Sequence, residues 1–293
     1  MAVAALHLAL GGPVLAEPRD DLFIAIVNGD LAGVKNALKQ GAKPEARNEK
    51  GFTPLIVAAK NGQLEIAEFL VQPGANPKTK SLKGSQPLGF AAESGNVGMI
   101  EYLLNHGGNI DEPGNTGSTP LHSAASEGNV EAVKFLLDHG ASINKQGVMD
   151  EMGHSLTPLW LAVNKQKVEV VKLLVDRGAD INIVSEGQNA LMEAAKWPNT
   201  EILKYLISHG ADLKHQDEQR SPLFFASASA RAENVKILLE AGTPAGKEDL
   251  SQNYLNHGDE WESLRKAIDK VDPPITVRDL GGLKKTELSA DEK

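Results

Sequence analysis

Residues 119–144 read TPLHSAASEGNVEAVKFLLDHGASIN. Thr119 offers a side-chain cap for a helix. Pro120 suits the first helical position, where its missing N–H would be unpaired in any case. Leu121, Ala124 and Ala125 fall on one face of that helix, and the small alanines allow close packing. Gly128-Asn129 breaks it. Val130, Val133, Leu136 and Leu137 form a second apolar stripe at helical spacing. Gly140 ends the second helix in the left-handed conformation that glycine tolerates. The segment ASIN then reads as extended. One such helix pair cannot bury both stripes alone.

The stretch recurs. TPLIVAAKNGQLEIAEFL starts at Thr53, QPLGFAAESGNVGMIEYLL at Gln86, TPLWLAVNKQKVEVVKLLV at Thr157, NALMEAAKWPNTEILKYLI at Asn189 and SPLFFASASARAENVKILL at Ser221, with a degenerate copy, DDLFIAIVNGDLAGVKNAL, from Asp20. The glycine after each second helix marks the period: Gly41, Gly74, Gly107, Gly140, Gly178, Gly210 and Gly242, at gaps of 33, 33, 33, 38, 32 and 32 residues. A fixed period of this size predicts a stacked array of helix pairs.

Composition narrows the function. Aromatics make up only 4% of the 293 residues, so the core is Leu, Ala, Val and Ile. The net charge of −9 argues against nucleic acid, whose ligands present a basic stripe. Without cysteine there is no disulfide, thiolate metal site or cysteine nucleophile. The first sixteen residues, MAVAALHLALGGPVLA, lack Asp, Glu, Lys and Arg and end in the small-residue pattern Val14-Leu15-Ala16. They read as a signal peptide lacking a basic n-region, the alternative being an apolar helix that caps the first repeat.

At Thr53-Pro54-Leu55, Thr119-Pro120-Leu121-His122 and Thr157-Pro158-Leu159, and at the Gly-Ala-x-(Ile/Leu/Pro) turns of Gly41, Gly74, Gly140, Gly178 and Gly210, the chain resembles the ankyrin repeat family. The resemblance spans roughly residues 20–245. It implies an α-helical repeat solenoid of helix–turn–helix units with β-hairpin fingers and a concave protein-binding face. The divisions expected are a candidate signal peptide (1–16), an ankyrin repeat domain of about seven repeats (17–245), a C-terminal capping segment (246–271) and a flexible tail (272–293). The N-terminal reading selects the exported, bacterial periplasmic type. A retained N-terminus would make the protein a cytoplasmic scaffold, regulator or effector.

Several places depart from the repeat. The longer gap inserts five residues into one finger, around GVMDEMGHSL (147–156), as a tolerated loop or as a contact through Met149 and Met152. Repeat six has Trp197-Pro198 where others have Asn-Gly or Glu-Gly, either packed on its neighbour or anchoring a partner. Trp160 replaces the histidine of the Thr-Pro-Leu-His motif and reads as a packing residue. In the capping segment Trp261, Leu264 and Ile268 are spaced to cover the last repeat.

No chemistry is evident. His106, His139 and His209 share one repeat phase. Stacked helices sit about 8–10 Å apart, too far for equivalent side chains to share one zinc, so these histidines read as local caps of helix C-termini. His122 reads as structural. The chain has no HExxH motif, phosphate-binding glycine loop or GxSxG elbow. The sequence predicts a non-enzymatic monomer with no cofactor, metal or nucleic acid, no stable membrane anchor after processing, and another protein as partner. A cryptic enzyme sited in the extended finger or the cap is the remaining alternative. Carried over by phase, the partner-binding residues are the first-helix ends Lys60, Asn61, Glu93, Ser94, Ser126, Glu127, Asn164, Lys165, Lys196 and Trp197, with Phe52, Leu156 and Arg220 on the fingers. Phe52, Leu156 and Trp197 are the expected apolar anchors. The expected compartment is periplasmic or secreted.

Overall fold

The computed structural model describes residues 17–148, 155–185, 187–217 and 220–244. The candidate signal peptide, capping segment and tail lie outside the described residues, as do Met149 and Met152. Two compact units are present. One holds residues up to Ala124 with Glu131–Ala141; the other holds Ala125–Val130 and the residues from Ser142 onward.

The helices of the first unit come in pairs: α1 (Pro18–Val27) with α2 (Leu31–Lys39), α3 (Pro54–Lys60) with α4 (Leu64–Val71), and α5 (Pro87–Ser94) with α6 (Val97–Asn105). First helices pack on first helices, α1 on α3 and α3 on α5. Second helices do the same, α2 on α4 and α4 on α6. A fourth pair, α7 (Pro120–Glu127) and α8 (Val130–Asp138), carries the opening stretch. The second unit repeats the scheme with α9 (Pro158–Asn164), α10 (Val168–Asp176), α11 (Ala190–Ala195), α12 (Thr200–Ser208), α13 (Pro222–Ala228) and α14 (Ala232–Glu240). There α9, α11 and α13 form one row and α10, α12 and α14 the other.

Sequence explains each pair. Thr53, Thr157 and Ser221 accept the amides of Ile56, Trp160 and Phe224 as side-chain caps, and a proline follows each. Asn189 does the same for Met192. Thr119 has a different partner: the fully buried His122 takes its amide and its hydroxyl on Nδ1, at 3.1 and 2.8 Å. The paired Ala58-Ala59, Ala91-Ala92 and Ala194-Ala195 are buried and let the first helices approach closely. Leucines such as Leu55, Leu70, Leu88 and Leu103 are fully buried, each worth about 1.5–3 kcal/mol. Every period-marking glycine has positive φ, from 87° at Gly178 to 113° at Gly74.

The fingers contain less strand than the family pattern implies. Gly147–Val148 (β1) and Ser155–Leu156 (β2) pair antiparallel, Gly147 opposite Leu156. The next two fingers close through single bridges, Ser185 to Gln188 and Asp217 to Arg220. The others are tight turns, such as Asn48–Phe52.

A hydrogen-bond ladder crosses the repeats. The residue four after the marker glycine receives the amide two after the next one: Asn76 N–H to Glu45 Oε1 at 2.7 Å, Asp180 N–H to Asn144 Oδ1 at 2.9 Å, and Asp212 N–H to Asn182 Oδ1 at 2.8 Å. A second rung joins the helix–helix turns: Gln63 Nε2 donates to Ile26 O at 2.6 Å, Asn96 Nδ2 to Gly62 O at 2.8 Å, and Arg231 Nε to Lys196 O at 3.1 Å.

Those turns need a left-handed residue. Gly29, Gly62, Gly95 and Gly128 supply it, but Gln166 and Ala230 occupy the same phase at φ 56° and 53°. Left-handed backbone costs a non-glycine residue about 1–2 kcal/mol, partly offset by the lower unfolded-chain entropy of alanine. Ala230→Gly should therefore raise stability by up to about 1 kcal/mol in urea unfolding; a fall in stability would refute the strain assignment.

Candidate functional site

The residues expected to meet a partner lie at the C-terminal ends of the first helices and on the fingers. In the first unit, Phe52 is half-buried and meets the buried Phe90 edge to face, centroids 5.2 Å apart. Lys60 Nζ lies 5.6 Å from the Phe90 ring centre and 3.2 Å from Glu93 Oε1. The Ser94 hydroxyl donates to Ala59 O at 3.2 Å and to Ala91 O at 3.0 Å, fastening one repeat to the next. Asn61 is exposed at the end of α3. Ser126, half-buried, and Glu127, exposed at the end of α7, belong to the second unit. Behind the fingers, the Lys80 ammonium 2.7 Å from Glu112 Oε1 holds that carboxyl below its ordinary range by hydrogen bonding.

The second unit concentrates the predicted residues. Glu193 on α11 occupies the phase of Val57, Phe90, Ser123, Leu161 and Phe225, a mostly apolar column, and is only 3% exposed. Its carboxylate is not isolated. Oε1 takes Asn164 Nδ2 at 2.7 Å and the Trp197 indole N–H at 3.2 Å, and Oε2 takes Lys196 Nζ at 2.7 Å. Lys196 also donates to Gln188 Oε1 at 2.8 Å and stands 4.8 Å from the centre of the buried Phe225 ring. Arg220 lies over the same ring at 5.8 Å and binds Asp217 Oδ2 at 2.6 Å. Thus Asn164, Lys196, Trp197 and Arg220 are brought into one cluster around Glu193 and Phe225, and Lys165 sits exposed beside it at the end of α9.

One expected anchor is corrected. Leu156 is buried at 8% exposure, because its strand partner Gly147 and the cap of α9 turn it inward. Phe52 is half spent on Phe90 and presents one edge. Trp160, read as packing, is half-buried, and its buried Nε1 has no hydrogen-bond partner among the described residues.

The backbone of the cluster is fixed as well. Pro198 stands where the other turns have a left-handed residue, and proline cannot adopt that conformation. The carbonyls of Ala195, Lys196 and Trp197 are taken by the following repeat. Asn234 Nδ2, buried in α14, donates to Ala195 O at 2.9 Å and Trp197 O at 2.7 Å, and Arg231 covers Lys196 O.

Comparison with known proteins matches this architecture. The family described as ankyrin repeats (3 copies) matches residues 14–81, 69–147, 114–185 and 159–249. The chain belongs to the ankyrin repeat family. Its fold is a helical repeat solenoid. Among solved structures it is similar to the human ASB11 ankyrin repeat domain, at 26% identity and a TM-score of 0.68, over 78% of this chain and 100% of that one. Comparison with curated proteins gives no match.

In this ankyrin repeat protein the three phase-related histidines serve separate helices. His106, His139 and His209 Nδ1 lie 2.8, 2.7 and 2.8 Å from the carbonyls four residues back. Each ring stacks on the aromatic residue at that position, Tyr102, Phe135 or Tyr205. Among the described residues no cluster of three or more His, Asp or Glu side chains could hold a metal, and no helix is long and apolar enough to cross a membrane.

Two functional residues were missed by pattern reading. Glu193 was signalled by a carboxylate in a column whose other members are apolar save Ser123. Asn234 was signalled by an amide on the buried stripe of α14, beside the unusual Trp-Pro turn one repeat earlier. Asn234→Ala leaves two turn carbonyls without their donor and should lower unfolding free energy by about 1–3 kcal/mol in urea titration; unchanged stability would mean that water or another donor replaces it.

Proposed function

We propose that this ankyrin repeat protein is a non-enzymatic interaction module, monomeric and without cofactor. It binds another protein through the first-helix ends and fingers, centred on the Trp197 cluster. Ankyrin repeats generally mediate protein–protein interaction. The observation that carries the reading here is the two-point fixation of Trp197. Its indole N–H is held by Glu193 and its carbonyl by Asn234, while the residue stays only partly buried. An anchor already held in place loses little freedom on binding, and tryptophan is enriched among residues that dominate interface energies. Lys165, Lys196, Asn164 and Arg220 supply the polar rim. Lys60, Asn61, Glu93, Ser94 and Phe52 form a corresponding set in the first unit, and the second unit adds Ser126 and Glu127 at the end of α7.

We also infer export to the periplasm or outside the cell, from the uncharged, alanine- and leucine-rich residues 1–16 and the small-residue pattern before Glu17. The second reading is a cytoplasmic scaffold that retains those residues.

Trp197→Ala should weaken the complex with a partner recovered by gentle crosslinking from the native host by more than about 1 kcal/mol in calorimetry, with the fold intact by circular dichroism. Unchanged affinity would remove Trp197 from the site. Intact-mass measurement from the same host should find a chain beginning at Glu17; retention of residues 1–16 would place the protein in the cytoplasm.

A further inference from the structure

The fingers of the first unit carry a patch of their own. Leu82, at the tip of its second finger, is 70% exposed, the most exposed large apolar side chain among the described residues. It does not sit on a loose loop. Ser81 N–H donates to Ser85 O at 2.9 Å and Gly84 N–H to Ser81 O at 2.9 Å, closing the turn. Arg47 from the preceding finger donates to Lys80 O at 2.9 Å. Asn115 from the following finger takes Lys83 O through its amide at 3.2 Å and Leu82 O through Nδ2 at 3.3 Å. Leu82 also lies against Gly51, where a Cβ would fall 2.2 Å from Leu82 Cγ. Leu82 is thus exposed, with its backbone tied to both neighbouring fingers.

The charge around it is distinctive. In a chain of net charge −9, residues 47–50 and 80–83 hold Arg47, Lys50, Lys80 and Lys83 against the single carboxylate Glu49. All four cations are exposed. Arg47 is engaged with backbone and Lys80 with Glu112, which leaves Lys50 and Lys83 as the outward charges flanking Leu82. A leucine flanked by two exposed lysines offers a partner one apolar contact and two cationic ones.

We propose that this finger-tip patch docks an acidic segment of a partner protein, in which an apolar side chain packs on Leu82 and carboxylates meet Lys50 and Lys83. The inference rests on reading the chain as a protein-binding module. An anionic bilayer is disfavoured by geometry: the tips on either side carry Glu49 and Asn115-Thr116, so one leucine alone would enter the apolar layer, too little for stable attachment. A nucleic acid is disfavoured by the absence of aromatic rings at residues 47–50, 80–83 and 115–116 and by the nearby carboxylates Glu49 and Glu112.

The test uses the full chain and two pools of short fluorescein-labelled peptides. Both contain leucine, glycine and serine in random order; one adds Asp and Glu, the other Lys and Arg. Anisotropy should show the acidic pool binding more tightly. The binding should weaken with added salt, fall about tenfold or more in Lys50→Glu/Lys83→Glu, and fall several-fold in Leu82→Ala. Equal or tighter binding of the basic pool overturns the acidic assignment. Acidic-pool binding indifferent to both variants places the contact elsewhere and overturns the patch, as does binding of neither pool. Sedimentation of the chain with phosphatidylserine vesicles, or binding to single-stranded DNA, that depends on Leu82 and Lys83 where the acidic pool does not, assigns the patch to lipid or nucleic acid instead. Trp197→Ala should leave acidic-pool binding unchanged, so this surface can fail while the Trp197 reading stands, and the reverse.

Discussion

Everything in this molecule follows from a helix pair that cannot cover its own apolar surface. Helices of six to ten residues are too short to persist alone in water. They persist because Leu55, Leu88, Leu191 and their phase mates are buried between one pair and the next. That need sets the period, since each pair must present the same stripe at the same height as its neighbour. It also sets the alanine doublets, because a larger side chain at Ala91 or Ala194 would hold the first helices apart. What remains outside those stripes is the helix ends and the fingers, where the proposed contacts lie.

A purely apolar stack would tolerate slippage between repeats. The hydrogen-bond ladders remove that freedom. Glu45, Asn144 and Asn182 each accept an amide from the following repeat, and Gln63, Asn96 and Arg231 each donate to a turn carbonyl of the preceding one. A side chain displayed on such a frame keeps its place relative to neighbours on adjacent repeats. Trp197 and Leu82 are the two clearest beneficiaries. One is pinned by a buried carboxylate and a buried amide, the other by cross-finger bonds to carbonyls on either side of it.

Much of this was legible in the residues. The marker glycines, the Thr-Pro-Leu starts and the two apolar stripes predicted the fold, because each reports a local backbone or packing demand that recurs unchanged. The histidines before the glycines were also readable, since a helix C-terminus explains them without any metal. What escaped depended on contacts between repeats. Leu156 has the pattern of an exposed finger residue, and only its pairing with Gly147 shows that it is buried. Glu193 looks like one more surface charge until its column is seen to be mostly apolar and its carboxylate buried. The Trp197-Pro198 turn was visible as an anomaly, but its repair by Asn234, 36 residues later, was not. The exposure of Leu82 at a finger tip is not deducible from the pattern either.

The most direct test of the central claim, that the Trp197 face is where a partner protein sits, is site-specific photo-crosslinking in the native host. A benzophenone side chain is placed at position 197 or, as the contrast, at the exposed Lys204 of α12. The account predicts one discrete protein adduct from position 197 and none from position 204. Equal adducts from both positions, or none from position 197 while the protein is folded, would contradict it.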